Sequence, residues 1–383
     1  MYSDEKVSQW HVVISDKWLL SCLTWVPILL ALSIWWIFSQ AIARDLPIGV
    51  VDLERSTLSR QLIRELDATS TLSVIDTSID VAQAKRKLIN NELYAYVIIP
   101  SHFDRDIVLG NPPQITAFYN SQYILVGKLI NSAVLQAHGT FNAKIGAAKQ
   151  LSKGNKTFAS ALGGTVPVQT QITALFNRNA NYAQFLVTAI VPALWQIFIV
   201  VTTILALTAN HRIYGLKKMV GHSAIKSLAV FIGFYLPFYL LLGFGFLTWF
   251  YFGLDFPYQG SLLTLIYSQL LTIFACISMA ALFFFLTLDP ARAMSFAGAF
   301  TAPSFAFMGV TFPVTDMNPI ATWWRSLLPI SHYIEAQISQ FSYNVTPWQT
   351  ISSITPTMSL YLIPLLLCLV LINKHLTKLE ANQ

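Results

Sequence analysis

The sequence predicts an α-helical polytopic membrane protein: six transmembrane helices with an α/β extracytoplasmic domain inserted after the first helix. Three observations predict it. Of 383 residues, 55% are hydrophobic and 11% are charged, against roughly 25% charged in soluble domains. The apolar residues gather in runs near the ~20 residues that a helix needs to cross a hydrocarbon core of about 30 Å. One stretch of ordinary soluble composition, residues 44–178, separates the first run from the rest.

Residues 1–17 are mixed in charge (Asp4, Glu5, Lys6, Asp16, Lys17). Within them Val7–Lys17 predicts a short amphipathic helix with Trp10 and Val13 on one face. The first span is Trp18–Phe38. No small-residue cleavage pattern follows Phe38, so the span reads as a retained anchor and not as a cleaved signal.

Residues 44–178 alternate strand and helix patterns. Leu46–Val51 is a short apolar strand. Ser56 caps a helix with the stripe Leu58, Leu62, Ile63 and Leu66. Leu72–Ile75 is a second strand, and Ile79–Asn91 a helix with Val81, Ala84 and Leu88 inward. Leu93–Ile99 is a strand closed by Pro100. A short helix near Phe103–Val108 and the turn Asn111-Pro112-Pro113 lead to a strand at Gln114–Phe118. This order predicts a parallel or mixed sheet with helices against it. Ile124 to about Leu162 reads as one or two long helices ended by Gly163-Gly164. Val166–Phe176 alternates as a returning strand. The acids Asp52, Glu54, Asp76, Asp104 and Asp106 show no catalytic or metal spacing, and His102 and His138 stand alone; all read as caps, turns and solvated faces.

Residues 183–372 carry five spans: Ala183–Ala209, Ser227–Phe252, Leu262–Leu288, Ala293–Phe312 and about Thr357–Ile372, with a semi-polar stretch at 313–356 and a tail at 373–383. Loop charges set the orientation. Arg212, Lys217, Lys218 and Lys226 lie between the second and third spans without an acid, and Lys374 and Lys378 lie in the tail. The alternate loops are poor in cations, Arg325 being the one cation of 313–356. By the positive-inside rule both termini are cytoplasmic and residues 44–178 extracytoplasmic.

Several function classes are excluded by pattern. The inserted stretch holds 14 of the 24 Lys and Arg and 10 of the 18 acids, interspersed. That is no basic stripe, so no nucleic-acid partner is expected. Cys22, Cys276 and Cys368 all lie in apolar runs and read as packed hydrophobes. No phosphate loop is present; Gly154-Asn155-Lys156-Thr157 lacks its spacing. There is no Gly-x-Ser-x-Gly elbow and no His-Glu-x-x-His. The spans are almost free of charge, which argues against ion coupling. Asp289 and Arg292 read as a turn whose Asp caps the next helix, followed by Pro290. His332 and Glu335 read first as a hydrogen-bonded helix surface and second as a pore mouth. Trp249, Tyr251, Phe252, Trp323 and Trp324 suit an interfacial belt. A chain that lacks both a phosphate loop and a buried acid points to energy supplied by a partner.

Four strings carry a family resemblance. They are Ile48-Gly49-Val50-Val51-Asp52 followed by Ser59-Arg60-Gln61-Leu62; Tyr94-Ala95-Tyr96-Val97-Ile98-Ile99-Pro100 with Phe103; Leu175-Phe176-Asn177 before Pro192; and Met308-Gly309-Val310-Thr311-Phe312-Pro313 with Met317-Asn318-Pro319 and Leu328-Pro329. In this order the chain resembles the permease subunits of type-2 ATP-binding-cassette (ABC) exporters, in the subgroup with a large extracytoplasmic insert between the first and second spans. It departs at Asn210-His211-Arg212-Ile213-Tyr214-Gly215-Leu216-Lys217-Lys218, where the family often reads Glu-Arg/Lys-Glu-x-Gly-Thr.

The resemblance implies a dimer with an identical or related permease subunit, driven by cytoplasmic ABC ATPase subunits. ATP and Mg would sit on those partners, with no cofactor in this chain. It implies an ATPase-coupling loop at His211, Arg212, Tyr214, Gly215, Lys217 and Lys218. It also implies an outer gate or re-entrant segment at 313–356, involving Gly309, Pro313, Pro319, Pro329, His332 and Glu335, and a periplasmic adaptor protein as a further partner beside the inner-membrane bilayer. The competing expectations are a non-transport membrane scaffold that docks envelope partners, and then a secondary transporter; a membrane enzyme ranks last.

Overall fold

The computed structural model describes residues 7–40, 43–77, 80–152, 157, 175–177, 181–221 and 223–381. Two compact units are present: Met1–Ala41 with Ala174–Gln383, and Ile42–Thr173.

The first unit opens with α1 (Gln9–Ser15), α2 (Lys17–Leu23) and α3 (Trp25–Phe38). Ser8 caps α1, and the Asp16 carboxylate caps α2 by accepting from the amides of Trp18 and Leu19 at 3.1 Å. The span expected at Trp18–Phe38 is bent: α2 and α3 meet at 46° across Thr24. Pro27 explains the bend, because its ring clashes with the Leu23 carbonyl and has no N–H to offer it. The Thr24 hydroxyl turns back to the Leu20 carbonyl at 2.7 Å.

The second unit is an open sheet with helices. Its elements are β1 (Leu46–Asp52), α4 (Thr57–Asp67), β2 (Leu72–Asp76), α5 (Val81–Ile89), β3 (Ala95–Ile99), α6 (Phe103–Leu109), β4 (Thr116–Tyr119) and α7 (Ile124–Leu151). Strand order is β2-β1-β3-β4, with β1 parallel to β2 and β3, and β4 antiparallel to β3. One sheet face buries Ile48, Val50, Val97 and Ile99 under Leu62 and Leu66 of α4 and the stripe Ile130, Ala133, Ala137 and Phe141 of α7. The other face packs Val51 and Tyr96 with Ala84 and Leu93. Asp52 accepts from the amides of Glu54 and Arg55 and from the Ser59 hydroxyl at 2.6 Å, and Glu54 accepts from the Asp104 amide at 2.8 Å. These carboxylates hold turns and helix starts. The expected Gly163-Gly164 stop and residues 166–174 of the expected strand Val166–Phe176 lie outside the described residues.

The first unit resumes with a π turn (Ala183–Val187) running into α8 (Thr188–Val220), then α9 (Ala224–Thr248) extended by a second π turn (Trp249–Gly253), and α10 (Leu262–Thr287). There follow α11 (Pro290–Thr301), α12 (Ser304–Phe307), a 3₁₀ turn (Val314–Asp316), α13 (Pro319–Ser326), α14 (Pro329–Phe341), α15 (Pro347–Ser359) and α16 (Leu362–Ala381). Among the described residues four stretches are long and apolar enough to cross a membrane: Ala183–Val220, Ala224–Gly253, Leu262–Thr287 and Pro347–Ala381; the bent pair α2–α3 makes a fifth. The span expected at Ala293–Phe312 is not one continuous helix. There α11 stops at Thr301, α12 is four residues long, and Met308–Pro313 is not helical. Pro303 cannot donate to the carbonyl one turn back, and Gly309 takes φ +83°, a conformation open to glycine at no steric cost.

α10 is the hub, packing against α8, α9, α11, α14, α15 and α16. Its buried positions are rich in small or hydroxyl residues (Ser268, Thr272, Ala275, Cys276, Ser278, Ala280). Small residues let helices approach closely where lipid gives no hydrophobic drive between them. The turn into α10 is pinned to α14: a Cβ on Gly260 would clash with the Gln340 backbone carbonyl, and the Ser261 amide donates to Gln340 Oε1 at 3.1 Å. Backbone cannot give way like a flexible side chain. Gly260→Ala therefore lowers stability in detergent by about 1–3 kcal/mol, the usual range for overpacking. Gly233→Ala in α9, where an added Cβ meets nothing within 4 Å, leaves it unchanged or slightly raised. Denaturation of the purified variants measures both.

Candidate functional site

The expected coupling loop is the last part of α8. His211, Arg212 and Tyr214 continue the helix; Gly215 breaks it at φ +70°, ψ 164°, and Lys217 and Lys218 lie on a short helical extension to Val220. The loop reading is thus corrected to a kinked helix. Only Gly215 departs from helical geometry, and Leu216 and Val220 stay buried while Lys217 and Lys218 are exposed. The N-terminal helix clasps this segment. Gln9 and Asn210 exchange two amide hydrogen bonds at 3.0 and 3.1 Å, and the Ser8 amide donates to the Tyr214 hydroxyl at 3.3 Å. Arg212 donates to the Asp16 carboxylate at 3.1 Å. The Arg212 side chain is 65% exposed, so this ion pair contributes little by itself. Trp10 lies edge-on to Phe234 and Phe238. Gln9, Asn210, Val220, Ser227, Phe285 and Ile372 converge on one small cleft, so this end gathers α1, α8, α9, α10 and α16. Exposed cations there include Lys17, Arg212, Lys217, Lys218, Lys226 and Lys374.

The second expected group lies about 30 Å away along α8, at 1.5 Å per residue. Gly309 is held by shape as well as by φ: a Cβ would come 2.6 Å from Val314 Cγ2 and 3.6 Å from Arg325 Nε. Pro313 precedes the 3₁₀ turn, and Pro319 and Pro329 start α13 and α14 at positions whose N–H would be unpaired in any case. Glu335 accepts from Arg325 at 2.8 Å; Arg325 is 12% exposed and Glu335 56%. The His332 ring lies 3.0 Å from the Ser326 carbonyl. Burial pushes its pKa down, against the pull of that carbonyl, which accepts from the ring. Among the described residues no cluster of His, Cys, Asp and Glu could hold a metal.

A buried polar layer joins this group to α8, and sequence reasoning passed over it. Pro192 has no N–H for the Thr188 carbonyl, and Gln337 Nε2 donates to that oxygen instead at 2.9 Å. Gln196, fully buried, donates to Ser304 at 3.0 Å and accepts the Ile330 amide at 2.9 Å. That amide is one of the unpaired donors of the first turn of α14. Gln269 donates to the Tyr333 hydroxyl at 3.0 Å, and Trp195 Nε1 to the Tyr239 carbonyl at 3.0 Å. The available signal was glutamine within spans otherwise apolar: Gln196 in α8 and Gln269 in α10.

Gln196→Leu strands the Ile330 amide and costs about 1–3 kcal/mol, read as reduced unfolding midpoint in detergent. Gln337→Leu strands the Thr188 carbonyl. Its cost is smaller in a Pro192→Ala background, because alanine returns the missing N–H. A double-mutant cycle measures this coupling; strictly additive costs would contradict the pairing.

Residues 17–372 match the family described as ABC-2 family transporter protein. No curated protein and no solved structure matches the chain. The match takes in the broken first helix, the clasped basic segment, the buried polar layer and most of α16. With its apolar spans, the chain is a multi-pass membrane protein that belongs to the ABC-2 transporter family, a permease subunit of an ABC transporter whose family works with ATPase subunits.

Proposed function

We propose that this permease subunit is half of an ATP-driven exporter. It pairs with a second permease subunit, identical or related, to form the pathway. Separate cytoplasmic ATPase subunits carry ATP and Mg and do the hydrolysis; this chain is not an enzyme and holds no cofactor. It resides in the inner membrane with both termini cytoplasmic and residues 44–178 extracytoplasmic, where a periplasmic adaptor is the natural partner for a soluble domain. In this orientation the bent pair α2–α3, the four long spans and the interrupted α11–α12 segment account for six passages.

One observation carries the reading: the basic kinked end of α8, with Lys217 and Lys218 exposed beyond Gly215 and α1 clamped across it. A docked ATPase would push on a segment whose buried residues, Leu216 and Val220, pack into the same core cluster as the spans. Motion there reaches α8 directly, and α8 bears the polar layer at its other end. Glycine at 215 supplies a point where the helix turns without side-chain strain.

The test is co-purification with the cognate ATPase. Arg212→Glu with Lys217→Glu reverses two exposed charges at little cost to folding. It is expected to lower ATPase recovery by at least about ten-fold, the factor that corresponds to 1.4 kcal/mol. Asp16→Asn, which loses the ion pair but keeps the positive charge, retains the partner. Undiminished recovery and transport in the double variant would overturn the coupling site. Normal membrane assembly without any ATPase partner would favour a scaffold.

A further inference from the structure

An apolar groove runs along the first unit between the bent pair α2–α3 and α9, with a volume of about 750 Å³. One wall carries Trp25, Ile28 and Leu32; the other carries Phe238, Leu241 and Phe246. The groove begins at the Thr24 break. The one hydroxyl there, Thr24 Oγ1, is already committed to the Leu20 carbonyl at 2.7 Å, so the lining makes no polar demand. Gly245 leaves the floor open, since a Cβ added there would meet nothing within 4 Å. The far end is marked by Trp249, edge-on to Trp35 with ring centroids 6.0 Å apart.

Length selects the occupant. From Phe238 to Trp249 is eleven helical steps, about 16 Å at 1.5 Å per residue. Half of a hydrocarbon core of about 30 Å is about 15 Å. The groove therefore spans one leaflet, and its tryptophan pair falls where indole rings prefer to sit, at the headgroup level. α1 packs near Phe234 and Phe238, so the leaflet is the one remote from the N-terminal helix. A helix from another protein is a poor fit. Helix interfaces in membranes use small residues and polar contacts for close approach, whereas these walls present Trp25 at 56% exposure and Leu241 at 72% on either side of an open floor. A flexible hydrocarbon chain fills such a slot without a matching surface. We propose that this groove is a lipid site that takes one acyl chain of a phospholipid from that leaflet.

The experiment uses the full chain in phosphatidylcholine vesicles that contain a small fraction of phosphatidylcholine with a diazirine near the acyl terminus. After illumination, adducts are mapped by peptide mass spectrometry. Labelling is expected to concentrate on residues 25–32 and 238–249, several-fold above that on equally exposed Leu366 and Val370 of α16. Gly245→Trp fills the floor and lowers groove labelling several-fold while labelling of α16 stays constant; Gly245→Leu does so to a smaller degree. Wild-type labelling spread evenly over the groove and α16 would overturn the site without recourse to a variant. So would undiminished groove labelling in both folded variants. Efficient disulfide formation between copies through Leu241→Cys, with weak lipid labelling, would show instead that a second copy covers the groove.

Discussion

Backbone that lies in hydrocarbon has no water to bond to, so each break in a membrane helix must find its hydrogen bonds within the protein. The first unit is organised by this constraint. Pro192 frees the Thr188 carbonyl, and Gln337 of α14 takes it. The first turn of α14 has unpaired amides, and Gln196 of α8 takes that of Ile330. Two glutamines thus bind α8 and α14 reciprocally, and Ser304 ties α12 into the same layer. These bonds tie the interrupted segment from α11 to α14 to the spans. Single interhelical hydrogen bonds in membranes are modest, averaging about 0.6 kcal/mol. Their weight here comes from serving backbone groups that Pro192 and the start of α14 take out of the helix ladder.

The two ends of α8 consequently differ in kind. One end is a polar layer locked by amides and by Arg325, whose guanidinium is largely buried against Glu335. The other is a glycine kink flanked by exposed lysines and held by a reciprocal Gln9–Asn210 pair and a surface ion pair. The second kind of contact is cheaper to rearrange. Such an asymmetry suits a subunit whose proposed partner acts at the basic end while the distant layer keeps its geometry. The 46° break at Thr24 adds a lateral feature, an apolar slot between α2–α3 and α9 away from the basic end.

Much of the second unit was legible because water drives its folding and leaves periodic patterns. The strand at Leu46–Asp52, the Ser56 cap and the stripe ending in Leu66 are written locally, and so is the apolar strand before Pro100. The spans were legible as apolar runs for the same kind of reason. What the sequence hid was continuity. Ala293–Phe312 reads as one apolar run, but Pro303 and the positive φ of Gly309 divide it. His211–Lys218 looks like a polar loop, yet its buried Leu216 and Val220 keep it helical apart from Gly215. The roles of Gln196 and Gln337 could not be read because their partners, Ile330 and Thr188, are more than a hundred residues away in sequence. Gly309, Pro313, Pro319, Pro329, His332 and Glu335 do lie in one region, but it is the partners Arg325, Ser326 and Val314 that define their geometry.

Everything proposed for this permease depends on the two ends of α8 facing opposite sides of the membrane, with the lysines inside. Cysteine accessibility measures this directly. In a background where Cys22, Cys276 and Cys368 are replaced, Lys218→Cys and Trp323→Cys are introduced singly and treated with a membrane-impermeant maleimide on intact spheroplasts. The proposed orientation gives labelling of Trp323→Cys from outside, and labelling of Lys218→Cys only after the membrane is opened. Labelling of both from the same side, or of Lys218→Cys from outside, would contradict it.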